Sequence, residues 1–106
     1  MDYGQTHDAT YIASHPATLA SDLHRLSQHT DVAVRTAVAD NQNTLTITTV
    51  HLAQDENPDL RYALAENHHI ESHVLDILAK DENPFVAARA QKTLLRLSQG
   101  VPLQTQ

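Results

Sequence analysis

The chain has 106 residues, the length of about one domain, and its formal net charge is −6 with histidine neutral. Hydrophobic residues make up 41% of it, which excludes a disordered acidic tail. The absence of cysteine excludes disulfides, thiolate zinc sites and cysteine nucleophiles. The sequence has neither an apolar run of about 18 residues nor a secretory signal at its start, so we expect a cytoplasmic protein with no membrane partner.

The sequence repeats itself at intervals of 26 residues. The segment LAQDENP at residues 52–58 recurs as LAKDENP at residues 78–84 without a gap, and the same register aligns Arg35 with Arg61. Roughly three and a half copies fit into the chain, with ragged ends. Such a period is typical of solenoids, in which each copy packs only on its neighbours.

Each copy is predicted to carry two short helices. The first begins at Asn57 and Pro58, because asparagine is a good N-cap and proline suits the first helical position. It ends near Asn67, which we expect to act as a cap. The second helix covers about residues 70–80, where apolar residues recur at helical spacing.

The segment at residues 44–50 gives two opposed indications. It is rich in β-branched residues, which by local propensity favour a strand. The repeat register, however, makes it the equivalent of the second helix of the following copy. Because the flanking motifs align without a gap and packing overrides propensity, we predict a helix here.

The last copy departs from the pattern. Thr93 stands where the earlier copies have asparagine, so one longer helix is predicted at residues 84–99, and such a terminal helix suits the cap of a repeat array. Its predicted apolar stripe consists of Val86, Ala90, Leu94 and Leu97. We predict a single domain at 1–106, with the repeat array at 6–99 and flexible tails at 1–5 and 100–106.

The pattern Leu-Ala-x-Asp-x-Asn-Pro-x-Leu-Arg-x-Ala-Leu-Ala-x-Asn at residues 52–67 resembles the leucine-rich repeat variant family, a relative of the HEAT-like α-solenoids. The resemblance covers roughly residues 13–90. It implies an all-α protein, a short right-handed α-solenoid of about three two-helix repeats. Some members carry a cysteine-rich iron–sulfur module, but this chain has no cysteine, so no cofactor is expected.

Residues that recur at one repeat position are candidates for structural roles. Arginines and aspartates each recur, and a planar guanidinium bridges carboxylate and carbonyl oxygens well, so we expect a ladder of Arg–Asp pairs between neighbouring repeats. The alternative is a row that binds phosphate or carboxylate groups. Recurring asparagines are expected to cap turns. These structural candidates are Arg35, Arg61, Asp55, Asp81, Asn41 and Asn67.

The chain contains eight histidines, which occupy different repeat positions. His69 and His73 are four residues apart and could share a helix face, but the zincin motif His-Glu-x-x-His is absent. We expect surface histidines, with metal binding or a pH-dependent partner switch as alternatives. No motif places a nucleophile at a strained turn, and no glycine-rich phosphate loop is present, so we expect no catalytic residues, no metal site and no enzyme.

One mismatch between copies points to a binding surface. Ile47 and Val50 stand at second-helix positions where the other copies have polar residues. The pattern leaves two interpretations open. The first is a rotated helix that buries Ile47 and Val50 instead of Thr48 and Thr49. The second is an exposed apolar patch at the centre of that face, which marks partner contacts. The predicted protein-binding residues are His24, Ile47, Val50, His51, His73 and Asp76.

The leading hypothesis is a non-catalytic scaffold for protein–protein interaction, an adaptor or regulator whose partner has a basic surface. The first alternative is a nucleic-acid-associated HEAT-like protein, which the acidic charge disfavours. The second alternative is a histidine-based metal-binding domain. A weak homodimer through an exposed repeat end is a side prediction.

Overall fold

The structure is a computed structural model that describes residues 6–99, with side chains from residue 8 onward. Within this range the chain is all-helical and forms no strand, which confirms the all-α prediction. The seven helices are α1 Thr6–Ser14, α2 Ala20–Leu26, α3 Val32–Asp40, α4 Thr46–Leu52, α5 Pro58–Ala65, α6 Ser72–Leu78 and α7 Pro84–Ser98. The predicted tails at 1–5 and 100–106 lie outside the described residues.

The helix starts follow the sequence period. The odd-numbered helices begin at residues 6, 32, 58 and 84, and the even-numbered ones at residues 20, 46 and 72. We call α1, α3, α5 and α7 the A helices and α2, α4 and α6 the B helices. The A helices pack in chain order, α1 against α3, α3 against α5 and α5 against α7. The copies are therefore residues 6–31, 32–57, 58–83 and 84–99.

Side-chain caps explain where the A helices begin. The Asn57 side chain accepts a hydrogen bond from the backbone N–H of Asp59 at 2.8 Å, and a proline follows at the first helical position. Asn83 caps α7 in the same way, from the N–H of Phe85 at 2.9 Å. Asp31 takes this role for α3, accepting from the N–H of Ala33. The asparagine–proline start predicted from the sequence is confirmed.

Residues 46–50 of segment 44–50 lie in α4, so the helix prediction made from the repeat register is confirmed for them, whereas residue 44 and the N-cap Leu45 precede the helix. The bounds predicted for the third copy are wrong by one to two residues. The first helix ends at Ala65 rather than near Asn67, and the second covers Ser72–Leu78 rather than 70–80. The reason is local, because the Asn67 side chain accepts from the N–H of His69 and starts a turn that belongs to neither helix.

The core is a single aliphatic layer between the A and B helices. Its fully buried large residues are Leu23, Leu52, Leu60, Leu64, Leu75, Leu78, Val34, Val38, Val74 and Val86. Burying each such side chain is worth about 1.5–3 kcal/mol, so this layer supplies the main favourable term for folding.

The terminal helix α7 is continuous, as predicted. Its buried stripe differs from the prediction: Val86, Ala90 and Thr93 are buried, whereas Leu97 is 40% exposed. Thr93 is tolerated inside because its hydroxyl donates to the carbonyl of Ala65 at 2.6 Å. No helix in residues 6–99 combines the length and apolar character that crossing a membrane requires.

Candidate interaction surface

The predicted protein-binding residues all lie on the three B helices. Five of the six are exposed: His24, Ile47, His51, His73 and Asp76. The sixth, Val50, is half-buried and packs against the core. Val50 therefore contributes to folding and is not the fully exposed residue that the patch prediction required.

The burial of α4 decides between the two orientations that the sequence left open. Thr48 and Thr49 are buried, whereas Ile47 is 69% exposed. The alternative of a helix rotated to bury Ile47 is therefore wrong. The buried hydroxyls are satisfied, because that of Thr48 lies 2.7 Å from Nδ1 of His24 and that of Thr49 donates to the carbonyl of Leu45.

Two further exposed apolar residues stand near the start of the B helices. Leu19 and Leu45 are the N-cap residues of α2 and α4 and are 66% and 55% exposed. We call Leu19, Leu45 and Ile47 the apolar edge. Sequence reasoning missed the two leucines, although they share one repeat position, 26 residues apart, just before the B helices.

Polar contacts join the B helices of neighbouring copies. The His24–Thr48 hydrogen bond links α2 to α4. The hydroxyl of Thr46 at the start of α4 donates to the Glu71 carboxylate at 2.7 Å, and Glu71 is the N-cap of α6. The other oxygen of Glu71 lies 3.5 Å from Nδ1 of His73. Side-chain contacts therefore connect the B helices of three successive copies along the candidate surface.

Two Arg–Asp pairs recur at the same register positions, and we call them the Arg–Asp ladder. Nε of Arg35 is 2.7 Å from Oδ2 of Asp55, and Nη2 is 3.1 Å from Oδ1. Arg61 contacts Asp81 in the same bidentate way, at 2.7 and 3.2 Å. Their second Nη groups donate to backbone carbonyls of the preceding turn, including that of His29 for the first arginine. Each pair joins an A helix to the turn that ends the same copy, so the pairs lie within copies and not between neighbouring ones as predicted.

The electrostatics of both pairs are those of buried, complementary charges. The hydrogen bonds that Arg35 donates to Asp55 raise the pKa of Arg35 above its usual value. Burial opposes ionisation of Asp55, but hydrogen bonds from Arg35 and from the Asn57 N–H outweigh it and lower the pKa of the carboxyl group. The second pair shifts in the same directions for the same reasons. Because the guanidinium groups are committed to internal acceptors, the alternative of a row that binds external anions receives no support from this geometry.

Histidines replace ladder and cap residues in the first copy. His29 occupies the register position of Asp55, and its Nδ1 accepts the N–H of Asp31 at 3.0 Å, just as Asp55 accepts that of Asn57. His15 occupies the position of Asn41, and its Nδ1 accepts the N–H of Ala17. No repeat position requires a histidine, but His15 and His29 stand where the next copy has asparagine and aspartate. Their ring nitrogens accept the turn hydrogen bond that the side-chain oxygens of Asn41 and Asp55 accept in the second copy.

The recurring asparagines do more than end helices. The Asn41 amide donates to the carbonyls of Ala13 and His15, at 2.8 and 2.9 Å, and thereby ties the second copy to the first. Its oxygen accepts the N–H of Asn43. Its backbone is extended, with φ −84° and ψ 128°. Asn67 forms the same turn with the N–H of His69.

The metal-binding alternative needs several ligands brought together. Residues 6–99 contain no group of three or more histidine, aspartate or glutamate side chains placed to hold a metal ion. His69 and His73 lie on opposite sides of the start of α6, the first in the preceding turn and the second inside the helix. The helix face that the sequence assigned to both therefore does not form.

No protein-family model, no curated protein and no solved structure matches the chain at a significant level. The functional conclusion therefore rests on the residues and contacts of this molecule.

Proposed function

We propose that the protein is a non-catalytic helical-repeat scaffold that binds another protein, as an adaptor or regulator. The observation that carries this proposal is the exposed apolar edge, above all Ile47, which is 69% exposed on a helix whose two neighbouring threonines are buried. Exposing an isoleucine while burying threonines gives up hydrophobic stabilisation, and partner contact is the usual reason for such an apolar surface.

The scaffold we propose is a short right-handed α-solenoid of about three repeats, of the leucine-rich repeat variant or HEAT-like kind. The equal spacing of helix starts and the packing of the A helices in chain order support it. Hydrogen bonds between copies also support it. Asn41 of the second copy donates to the carbonyl of Ala13 in the first. Thr93 of the last copy donates to the carbonyl of Ala65 in the third. In such an array the B helices form one continuous face for a partner.

The partner we propose has a basic surface. Between residues 8 and 99, eight acidic residues are exposed: Asp8, Asp40, Glu56, Asp59, Glu66, Glu71, Asp76 and Glu82. Only Arg25, Lys80 and Lys92 are exposed cations in the same range. This excess of negative charge steers a basic partner toward the molecule and repels nucleic acid and anionic membrane surfaces.

The proposal is tested by affinity capture with matched variants. Ile47→Asp removes the centre of the apolar edge, whereas Phe85→Asp makes the same kind of change at an apolar residue that is 75% exposed on α7. We expect wild type and Phe85→Asp to retain the same partner and Ile47→Asp to lose it, with all three giving the same helical circular dichroism. Equal capture by all three, or loss in both variants, contradicts the proposed surface.

A further inference from the structure

A polar cleft separates the second copy from the third. Its volume is about 710 Å³, and it lies between the end of α3, the start of α4 and the turn that precedes α6. The residues that matter here are Asp40, Asn41, Thr46, Asn67, His69 and Glu71. Thr46 lines the cleft and is followed by Ile47, so the cleft adjoins the apolar edge.

The corresponding junction between the first two copies is closed by asparagine. The side chain of Asn43 donates to the carbonyls of Pro16 and Thr18, at 2.5 and 3.2 Å. The Asn41 amide donates to the carbonyl of Ala13. These donors occupy the carbonyl oxygens that the first copy presents to the second.

In the cleft, the carbonyls at the equivalent positions of the second copy lack such donors. His69 replaces Asn43 in the register, and among residues 6–99 its ring makes no hydrogen bond to the carbonyls of Gln42 or Thr44. Within that range Asn67 likewise makes no bond to the carbonyl of Ala39. At the next junction Thr93 does bond the equivalent carbonyl, that of Ala65. The junction between the second and third copies thus leaves a set of acceptors open to a ligand.

Carboxylates add negative charge to these acceptors. Asp40 and Glu71 line the cleft from its two sides, and both are exposed. The hydroxyl of Thr46 donates to one oxygen of Glu71 at 2.7 Å, and this bond holds the carboxylate across the cleft. The fitting occupant is therefore a cation that carries several N–H donors in fixed directions.

The molecule itself uses such a group where carboxylate and carbonyl oxygens converge. Arg35 binds Asp55 with two N–H groups and the carbonyls of His29 and Thr30 with others. A lysine ammonium lacks this planar fork. We propose that the cleft binds the guanidinium group of an arginine on the partner protein. This proposal rests on the proposed function and names the chemistry by which the partner is recognised.

The test uses Nα-acetyl-arginine amide as the probe in a titration followed by ¹⁵N NMR spectra of the full chain. We expect saturable shifts confined to residues 39–46 and 67–74, with a dissociation constant on the order of millimolar. The neutral isostere Nα-acetyl-citrulline amide is expected to bind at least about tenfold more weakly, because it lacks the charge.

Three variants locate the binding. His69→Asn supplies the donor that closes the first junction and is expected to abolish the shifts without lowering Tm. Glu71→Gln is expected to weaken binding about five- to tenfold, whereas Glu82→Gln, an equal charge change at an exposed residue outside the cleft, leaves it unchanged.

The proposal is overturned by an absence of shifts at tens of millimolar probe, by equal binding of the citrulline probe, or by unchanged binding to His69→Asn. These outcomes concern the cleft alone. Loss of the partner in Ile47→Asp would still support the scaffold, so failure of the cleft and failure of the proposed function remain distinguishable.

Discussion

Replacing Asp55 with alanine removes the carboxylate that holds one step of the Arg–Asp ladder. Both side chains of the Arg35–Asp55 pair are about nine-tenths buried, at 10% and 9% exposed, and they meet through two hydrogen bonds. Removing one partner of a buried pair costs about 3–5 kcal/mol, because the remaining charge stays buried. We take the lower end, about 3 kcal/mol, since Arg35 keeps its bonds to two backbone carbonyls.

The same substitution also leaves the N–H of Asn57 without its acceptor, which adds about 1 kcal/mol. The total of about 4 kcal/mol is a large part of the 5–15 kcal/mol that ordinarily stabilises a domain. At about 4 °C or more per kcal/mol, the expected fall in Tm is roughly 15 °C. Urea unfolding followed by circular dichroism measures the free-energy change directly.

The matched control removes an exposed aspartate that lies outside the Arg–Asp ladder. Asp76 is exposed on α6, and Asp76→Ala is expected to change the free energy of unfolding by less than about 0.5 kcal/mol. Asp55→Asn keeps the acceptor for Asn57 but loses the charge, and it should fall between the two. A cost for Asp55→Ala no larger than that of Asp76→Ala would refute the reasoning, because the ladder would then contribute nothing measurable.

Three further predictions follow from the same contacts. The lowered pKa values of Asp55 and Asp81 mean that their stabilisation is present above their unfolded-state pKa, about pH 4, and is lost as pH falls through the lower folded-state values. Urea unfolding at pH 6 and pH 3 should show this loss, and Asp55→Asn should reduce it. Ile47→Asp is expected to change the free energy of unfolding by less than about 0.5 kcal/mol, whereas Leu52→Ala, at a fully buried position of the same helix, costs about 2–5 kcal/mol. A thermal melt that ranks them otherwise contradicts the orientation of α4. Asn41→Ala removes two bonds to the first copy and should cost about 1–2 kcal/mol, with hydrogen exchange rising mainly in α1; uniform exchange across the helices would contradict its role as a tie.

The helical character of α4 could be predicted because the repeat register carries information from outside the segment. Local propensity alone favours a strand there. The register could not predict which groups form hydrogen bonds with the hydroxyls of the buried threonines. The hydroxyl of Thr48 depends on His24, which stands 24 residues earlier, and no local rule connects the two. The half-burial of Val50 was missed for a related reason, since side-chain depth depends on how far the helix sinks between its neighbours.

The Arg–Asp pairing could be predicted from the sequence because both the arginine and the aspartate recur at fixed repeat positions. The roles of His15 and His29 were missed because each differs in residue type from its register equivalents while keeping the same acceptor function. The cleft lies beyond sequence reasoning for a geometric reason. The exchange of Asn43 for His69 is visible in the register, but its consequence depends on carbonyl oxygens whose positions only the folded chain defines.

The central claim is that the apolar edge contacts a protein partner through Ile47 on α4. A photocrosslinking amino acid placed at position 47 tests it most directly, with position 85 on α7 as the control site. The account predicts that illumination in a lysate of source cells joins position 47, but not position 85, to one protein whose surface is basic, and that added salt lowers the adduct yield. The absence of an adduct from position 47, or the same adducts from both positions, would contradict the account.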